Sequence, residues 1–150
     1  MAHWYSAASV AIFEYTLSAG AACFTGSFSV SLLIAVPTAV HALQGVCVRI
    51  VSAGLNHTLA VSDAGAAFAW GNNDDGQAGH GVAGAAVRVP RQIEALRSVA
   101  VAAVSAGGIH SLFLAASGAV YSCGRGDGGP LGHGDTADQA TPKLIEALQA

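Results

Sequence analysis

At 150 residues the chain has the length for a domain with a real core, and 53% hydrophobic against 10% charged residues speaks against disorder. Six Lys and Arg within a net charge of −3 leave little to neutralise a phosphate backbone, so nucleic-acid binding by this chain alone is not expected. The cysteines Cys23, Cys47 and Cys123 are odd in number and show no C-x-x-C spacing. That argues against a disulfide framework or a cysteine zinc site, fits a reducing compartment (cytoplasm or nucleus), and predicts three small buried thiols.

In chain order, residues 1–36 are an apolar segment to which no domain is assigned. No Asp, Glu, Lys or Arg occurs between Glu14 and Arg49, and Ser27 to Val36 is rich in apolar and β-branched residues. Ser, Thr and Gly dilute the apolar character below that of a membrane span, and Met1 to Tyr5 lacks the basic start of a signal peptide. The segment therefore reads as buried strand material. Ser18-Ala19-Gly20 echoes the triplet that opens the repeats below, with Cys23 where a histidine would stand.

From Pro37 the pattern becomes orderly. Pro37 to Leu43 has the layout of two later Pro-led segments. Val46, Val48 and Ile50 then alternate with Cys47 and Arg49, as in a half-buried strand, predicting a strand over 46–53. Gly54 turns the chain into a second strand over 57–62. Asp63-Ala64-Gly65 makes a tight turn into a third over 66–70. A Gly-rich loop follows, and the segment led by Pro90 is expected to supply a fourth strand over 91–95, with proline at its head suiting a sheet edge.

The whole unit then returns. Ser52-Ala53-Gly54-Leu55-Asn56-His57-Thr58-Leu59 reappears 53 positions on as Ser105-Ala106-Gly107-Gly108-Ile109-His110-Ser111-Leu112. At the same offset Gly65 pairs with Gly118, Gly71 with Gly124, Asp74 with Asp127, and Gly79-His80-Gly81 with Gly132-His133-Gly134. After a one-residue slip, Pro90 to Leu96 matches Pro142 to Leu148. Four short strands in a unit of this length describe a propeller blade rather than a helical solenoid. The expectation is an all-β chain with a first repeat over about 46–96 and a second over about 99–148. Each repeat forms one four-stranded antiparallel blade, and the ring is not closed within the chain.

These pieces resemble the regulator of chromosome condensation repeat family. The carriers are Ala53-Gly54 with His57-Thr58, Phe68-Ala69-Trp70-Gly71, and Gly76-Gln77-Ala78-Gly79-His80-Gly81, then Tyr121-Ser122-Cys123-Gly124 and Leu131-Gly132-His133-Gly134 in the second copy. Cys123 stands where the family has Trp, Ala78 where it has Leu, and Pro130 where it has Gln. The resemblance covers about residues 37–150 and implies blades of a roughly seven-bladed propeller, as a fragment or a degenerate member. It implies a non-catalytic protein-interaction module. The alternatives are an exchange factor for a small GTPase, the activity of the founding member, and an accessory repeat module of a ubiquitin ligase. A protein partner is expected, a small GTPase among the candidates, and uncovered blade sides predict self-association.

Gly124-Arg125-Gly126-Asp127-Gly128-Gly129 fits G-x-G-x-x-G, but Pro130 and the glycines after it cannot open the helix that would bind a phosphate. Asn56-His57-Thr58 fits a glycosylation sequon inside the repeat, where it carries little weight. The paired histidines His57/His110 and His80/His133 read as one structural hydrogen bond made in each blade rather than as metal ligands. Asp74, Asp75 and Asp127 lack the spacing of a calcium loop and read as turn formers. No catalytic residue, cofactor or metal is expected. His57, Asp74, His110 and Asp127, polar and at matching blade positions, are the candidate partner-binding residues.

Overall fold

A computed structural model describes residues 40–149; the expectations for residues 1–36 and for the start of the first Pro-led segment lie outside them. Eight strands form two separate four-stranded sheets, ordered β1-β2-β3-β4 and β5-β6-β7-β8. The first contains β1 (Val48–Ala53), β2 (His57–Ser62), β3 (Ala67–Gly71) and β4 (Val87–Gln92). The second contains β5 (Val101–Ala106), β6 (His110–Ala115), β7 (Val120–Gly124) and β8 (Gln139–Leu144). All pairings are antiparallel, and the second sheet repeats the first sheet's register, with the same irregularities near Val48/Ile50 and Val101/Ala103 and near Ala69/Gly71 and Ser122/Gly124. Among the described residues there are thus two propeller-type blades, and they do not close a ring. Helical structure among the described residues is confined to three-residue 3-10 turns at His41–Leu43, Glu94–Leu96 and Glu146–Leu148. None of the described helices is long and apolar enough to cross a membrane.

The turn chemistry accounts for the hairpins. Gly71, at the end of the aromatic-x-Trp-Gly motif, has φ +107°, and a Cβ there would stand 2.5 Å from the Asn56 carbonyl oxygen and 2.7 Å from His57 Cα. Only glycine combines that dihedral with that approach. Gly124 occupies the same place in the second sheet, at φ +110°.

The fourth strands lie earlier than expected. They run over Val87–Gln92 and Gln139–Leu144 instead of opening at the prolines, so Pro90 and Pro142 sit inside their strands. Both strands are sheet edges, where a proline without an N–H can be accommodated. The residues expected to end the strand pass into the 3-10 turn, after Ile93 N–H and Ile145 N–H have donated to Ala67 O and Val120 O.

The sheets pack face to face, with β5 lying over β1 and β2. β2 is buried along its whole length, while β6 alternates. Ser111 and Phe113 face the first sheet, whereas Leu112 is half-buried and Leu114 is 41% exposed. Leu59, Val61, Trp70, Ile93, Leu96, Val101, Phe113 and Cys123 belong to one core cluster spanning both sheets. A second departure concerns the thiols: Cys123 is free and buried as expected, but Cys47 is disulfide-bonded. Cys23 lies outside the described residues.

Candidate functional site

The Ala-Gly-x-x-His motif builds the joint between the sheets. The His57 ring lies across Gly54, where a Cβ would run into the ring and into the Gly107 carbonyl oxygen. His110 lies across Gly107 in the same way. His57 is 1% exposed, and its Nε2 stands 2.8 Å from Ser111 Oγ in the second sheet. The Ser111 hydroxyl donates to Gln77 O at 2.7 Å, so its single proton is committed and His57 must donate through Nε2–H. Nδ1 is then left as a bare lone pair, and it has no hydrogen-bond partner. Burial, and secondarily the charge on His110, lower the His57 pKa to about 4, which keeps the ring neutral at physiological pH. Cys123 Sγ reaches the same Gln77 carbonyl at 3.6 Å, and burial pushes its thiol up to about 12.

The other histidines brace the loops within each repeat. His80 donates through Nε2 to Ala69 O at 3.2 Å. At the matching place in the second repeat, His133 Nε2 meets Ser122 Oγ at 2.9 Å, and that hydroxyl donates onward to Leu131 O at 2.7 Å. Burial lowers both pKa values, with Arg91 adding to the effect at His80 and Lys143 at His133. The expectation of one structural hydrogen bond per histidine holds for His57, His80 and His133.

Asp74 and Asp127 lie exposed on loops. Asn72 Nδ2 donates to the Asp74 carboxylate at 2.7 Å, and Asn73 fixes the same loop by donating to Val82 O and accepting from Ala78 N–H. In the second repeat Arg125 pairs with Asp127 at 2.5 Å, and Asp138 accepts from Gly126 N–H. The Arg125 pKa is raised first by that bond to Asp127 and further by Asp75 and Asp138. The first repeat's loop meets the second repeat directly where Gly81 N–H donates to Ala140 O at 2.9 Å. The structure places Asp74 and Asp127 at the surface, His110 half-buried and His57 in the interior. No cluster of three or more His, Cys, Asp or Glu able to hold a metal occurs among the described residues. Ser111 and Gln77, which complete the joint, escaped the sequence reading. Their signal was the hydroxyl after the histidine in both copies, Thr58 and Ser111.

The model of the regulator of chromosome condensation (RCC1) repeat matches residues 64–114 and 117–150, and a second model of the same repeat matches 48–77. Among curated proteins, the chain is 43% identical over 118 residues to the E3 ubiquitin-protein ligase HERC2 of Homo sapiens, covering 77% of this chain and 2% of that protein. It is 36% identical over 114 residues to the ultraviolet-B receptor UVR8 of Arabidopsis thaliana, covering 75% and 26%. Among solved structures, human WBSCR16 superposes with a TM-score of 0.64 at 32% identity, covering 73% of this chain and 27% of that one. Prp20p of Saccharomyces cerevisiae, described together with its binding to Gsp1p and histones, gives 0.59 at 28% identity and covers 66% and 26%. The chain thus spans about a quarter or less of the length of each of these relatives.

Proposed function

Because the chain belongs to the regulator of chromosome condensation repeat family, we propose that it is a protein-interaction module whose partner meets the loops of both repeats at once. The observation that carries this reading is the direct joining of the first repeat's loop to the second repeat, by Ser111 Oγ donating to Gln77 O at 2.7 Å and Gly81 N–H donating to Ala140 O at 2.9 Å. Five aspartates, Asp74, Asp75, Asp127, Asp135 and Asp138, stand on these loops against one arginine, which favours a basic partner segment. Asp74 and Asp127 are the contact residues. His110 flanks the joint, and His57 serves by holding the two repeats in register.

The repeat-bearing ligases among the relatives support an accessory role of this kind, since what they share with this chain is repeat. The likeness to Prp20p supports the alternative of an exchange factor for a small GTPase. An exchange factor needs a broad surface, typically above about 1,000 Å² in total for a specific complex. Two blades supply little of it, so the interaction reading is preferred.

Two assays test this. Immobilised protein should capture a partner that the Asp74→Ala/Asp127→Ala double variant fails to capture, with the β-sheet circular dichroism unchanged. Equal capture by both forms would overturn the loop-face reading. Fluorescent-nucleotide release from a Ran-type GTPase should not accelerate; many-fold acceleration abolished by Asp127→Ala would establish exchange instead.

A further inference from the structure

Two Asp-Gly pairs occur among the described residues, Asp75-Gly76 and Asp127-Gly128, and they fall in different registers of the same loop turn. In the first repeat the turn runs from Asn73 to Gly76 and closes through Gly76 N–H, which donates to Asn73 O at 3.2 Å. In the second it runs from Gly126 to Gly129 and closes through Gly129 N–H, which donates to Gly126 O at 2.8 Å. The amide after Asp75 therefore closes its turn, whereas the amide after Asp127 lies at the centre of its own.

That central amide has an acceptor in the first repeat only. Asp75 N–H, the counterpart of Gly128 N–H, donates to Gln77 Oε1 at 3.0 Å. Pro130 stands where Gln77 does and carries no side-chain acceptor. Gly128 N–H is accordingly left without a hydrogen-bond partner among the described residues. Packing differs as well. Gly76 is buried, and a Cβ there would stand 2.5 Å from Ala140 Cα. Asp127 and Gly128 are exposed, and a Cβ on Gly128 would meet nothing within 4 Å. A following repeat does not decide this, because Asp74, the counterpart of Asp127, stays exposed with the second repeat beside it.

We propose that Asp127 is a site of spontaneous isomerisation to isoaspartate, left open by Pro130, and that the change withdraws the loop face from its partner as the protein ages. The Gly128 nitrogen bonds to Asp127 Cγ, and its proton leaves with the hydroxyl of the protonated carboxyl as water. Water then adds to the former backbone carbonyl of Asp127 and breaks its bond to that nitrogen. The chain now runs through Cβ and Cγ, the carboxylate sits on Cα, and no atom or charge is gained or lost. Glycine favours the closure because no Cβ obstructs its nitrogen, and an exposed turn opens at little cost. The carboxyl must first leave Arg125, whose Nε and Nη2 hold it at 2.9 and 2.5 Å, so the change is slow and breaks that pair. The loss of binding rests on the loop-face reading of function; the chemistry at Asp127 does not.

The test incubates the folded protein at neutral pH in heavy-oxygen water and maps isoaspartate by peptide fragmentation. Isoaspartate, with heavy oxygen taken up in the same peptide, is expected to accumulate many-fold faster at Asp127 than at Asp75. In the urea-unfolded chain the two rates should converge. Pro130→Gln restores the acceptor and should slow Asp127 several-fold in the folded protein but not in urea. Equal rates at the two sites in the folded protein, no isoaspartate at Asp127 while the unfolded chain forms it, or an unchanged rate in Pro130→Gln would overturn the proposal. Isomerised protein, separated by chromatography, should fail to capture the partner. Undiminished capture by it, where the Asp74→Ala/Asp127→Ala variant fails, would overturn the loss of binding alone; capture by that variant too would instead place the failure in the loop-face reading.

Discussion

His57 Nε2 and Ser111 Oγ, on different sheets and 54 positions apart in sequence, meet at 2.8 Å in a buried hydrogen bond that continues to Gln77 O. The relay fixes both the tautomer of the histidine and the distance between the blades.

Ser111→Ala removes the middle of that relay, leaving the His57 Nε2–H without its partner in a dry site and the Gln77 carbonyl with only the Cys123 thiol. A loss of about 1–3 kcal/mol is expected, read from urea unfolding. A loss below a few tenths of a kcal/mol would show that the relay does not hold the sheets.

Acid should weaken the fold through His57. Its folded pKa of about 4 lies below the unfolded value of 6.5, so between those values the unfolded chain binds the extra proton. Stability from this group is complete above about pH 6.5, falls as pH drops toward 4, and levels off below. The full effect is on the order of 3 kcal/mol. His80 and His133, also lowered, act in the same direction. Stability measured from pH 7 to 4 should slope less steeply in His57→Gln than in the parent; parallel slopes would exclude His57 as the source.

Cys123 should be inert in the folded protein. Burial holds its thiol at about 12 and denies access, so alkylation mapped by mass spectrometry should reach it only after unfolding. Modification of Cys123 under native conditions would contradict the packing described.

Gly71→Ala and Gly84→Ala separate two costs. Both glycines have positive φ, +107° and +96°, but only Gly71 has backbone within contact of an added Cβ. Gly84→Ala should cost about 1 kcal/mol from the dihedral alone, and Gly71→Ala at least about 2 kcal/mol. Thermal unfolding of the pair checks the order; equal losses would remove the steric argument.

The repeat, the strand class and the first three strands of each sheet were legible because alternating apolar residues and turn glycines act locally. The fourth strand was misplaced because it is an edge: Arg88 and Val89 are both exposed, so no inside-outside alternation marks its start. For the candidate residues, the recurrence of histidine showed that the position mattered but not which way it faced. His57 is enclosed because the second sheet covers it, and His110, the same residue in the same motif, is only half-buried. That difference arises from tertiary packing, to which a single repeat's sequence is blind.

The joint between the blades has a further consequence for how such chains grow. Its two halves are neighbours in sequence: the histidine reaches forward to the next blade, and the hydroxyl beside it receives from the blade behind, as Ser111 does from His57. Thr58 holds the same place beside His57. A tandem duplication of this stretch of gene therefore copies plug and socket together, and each new unit arrives already able to couple at both ends.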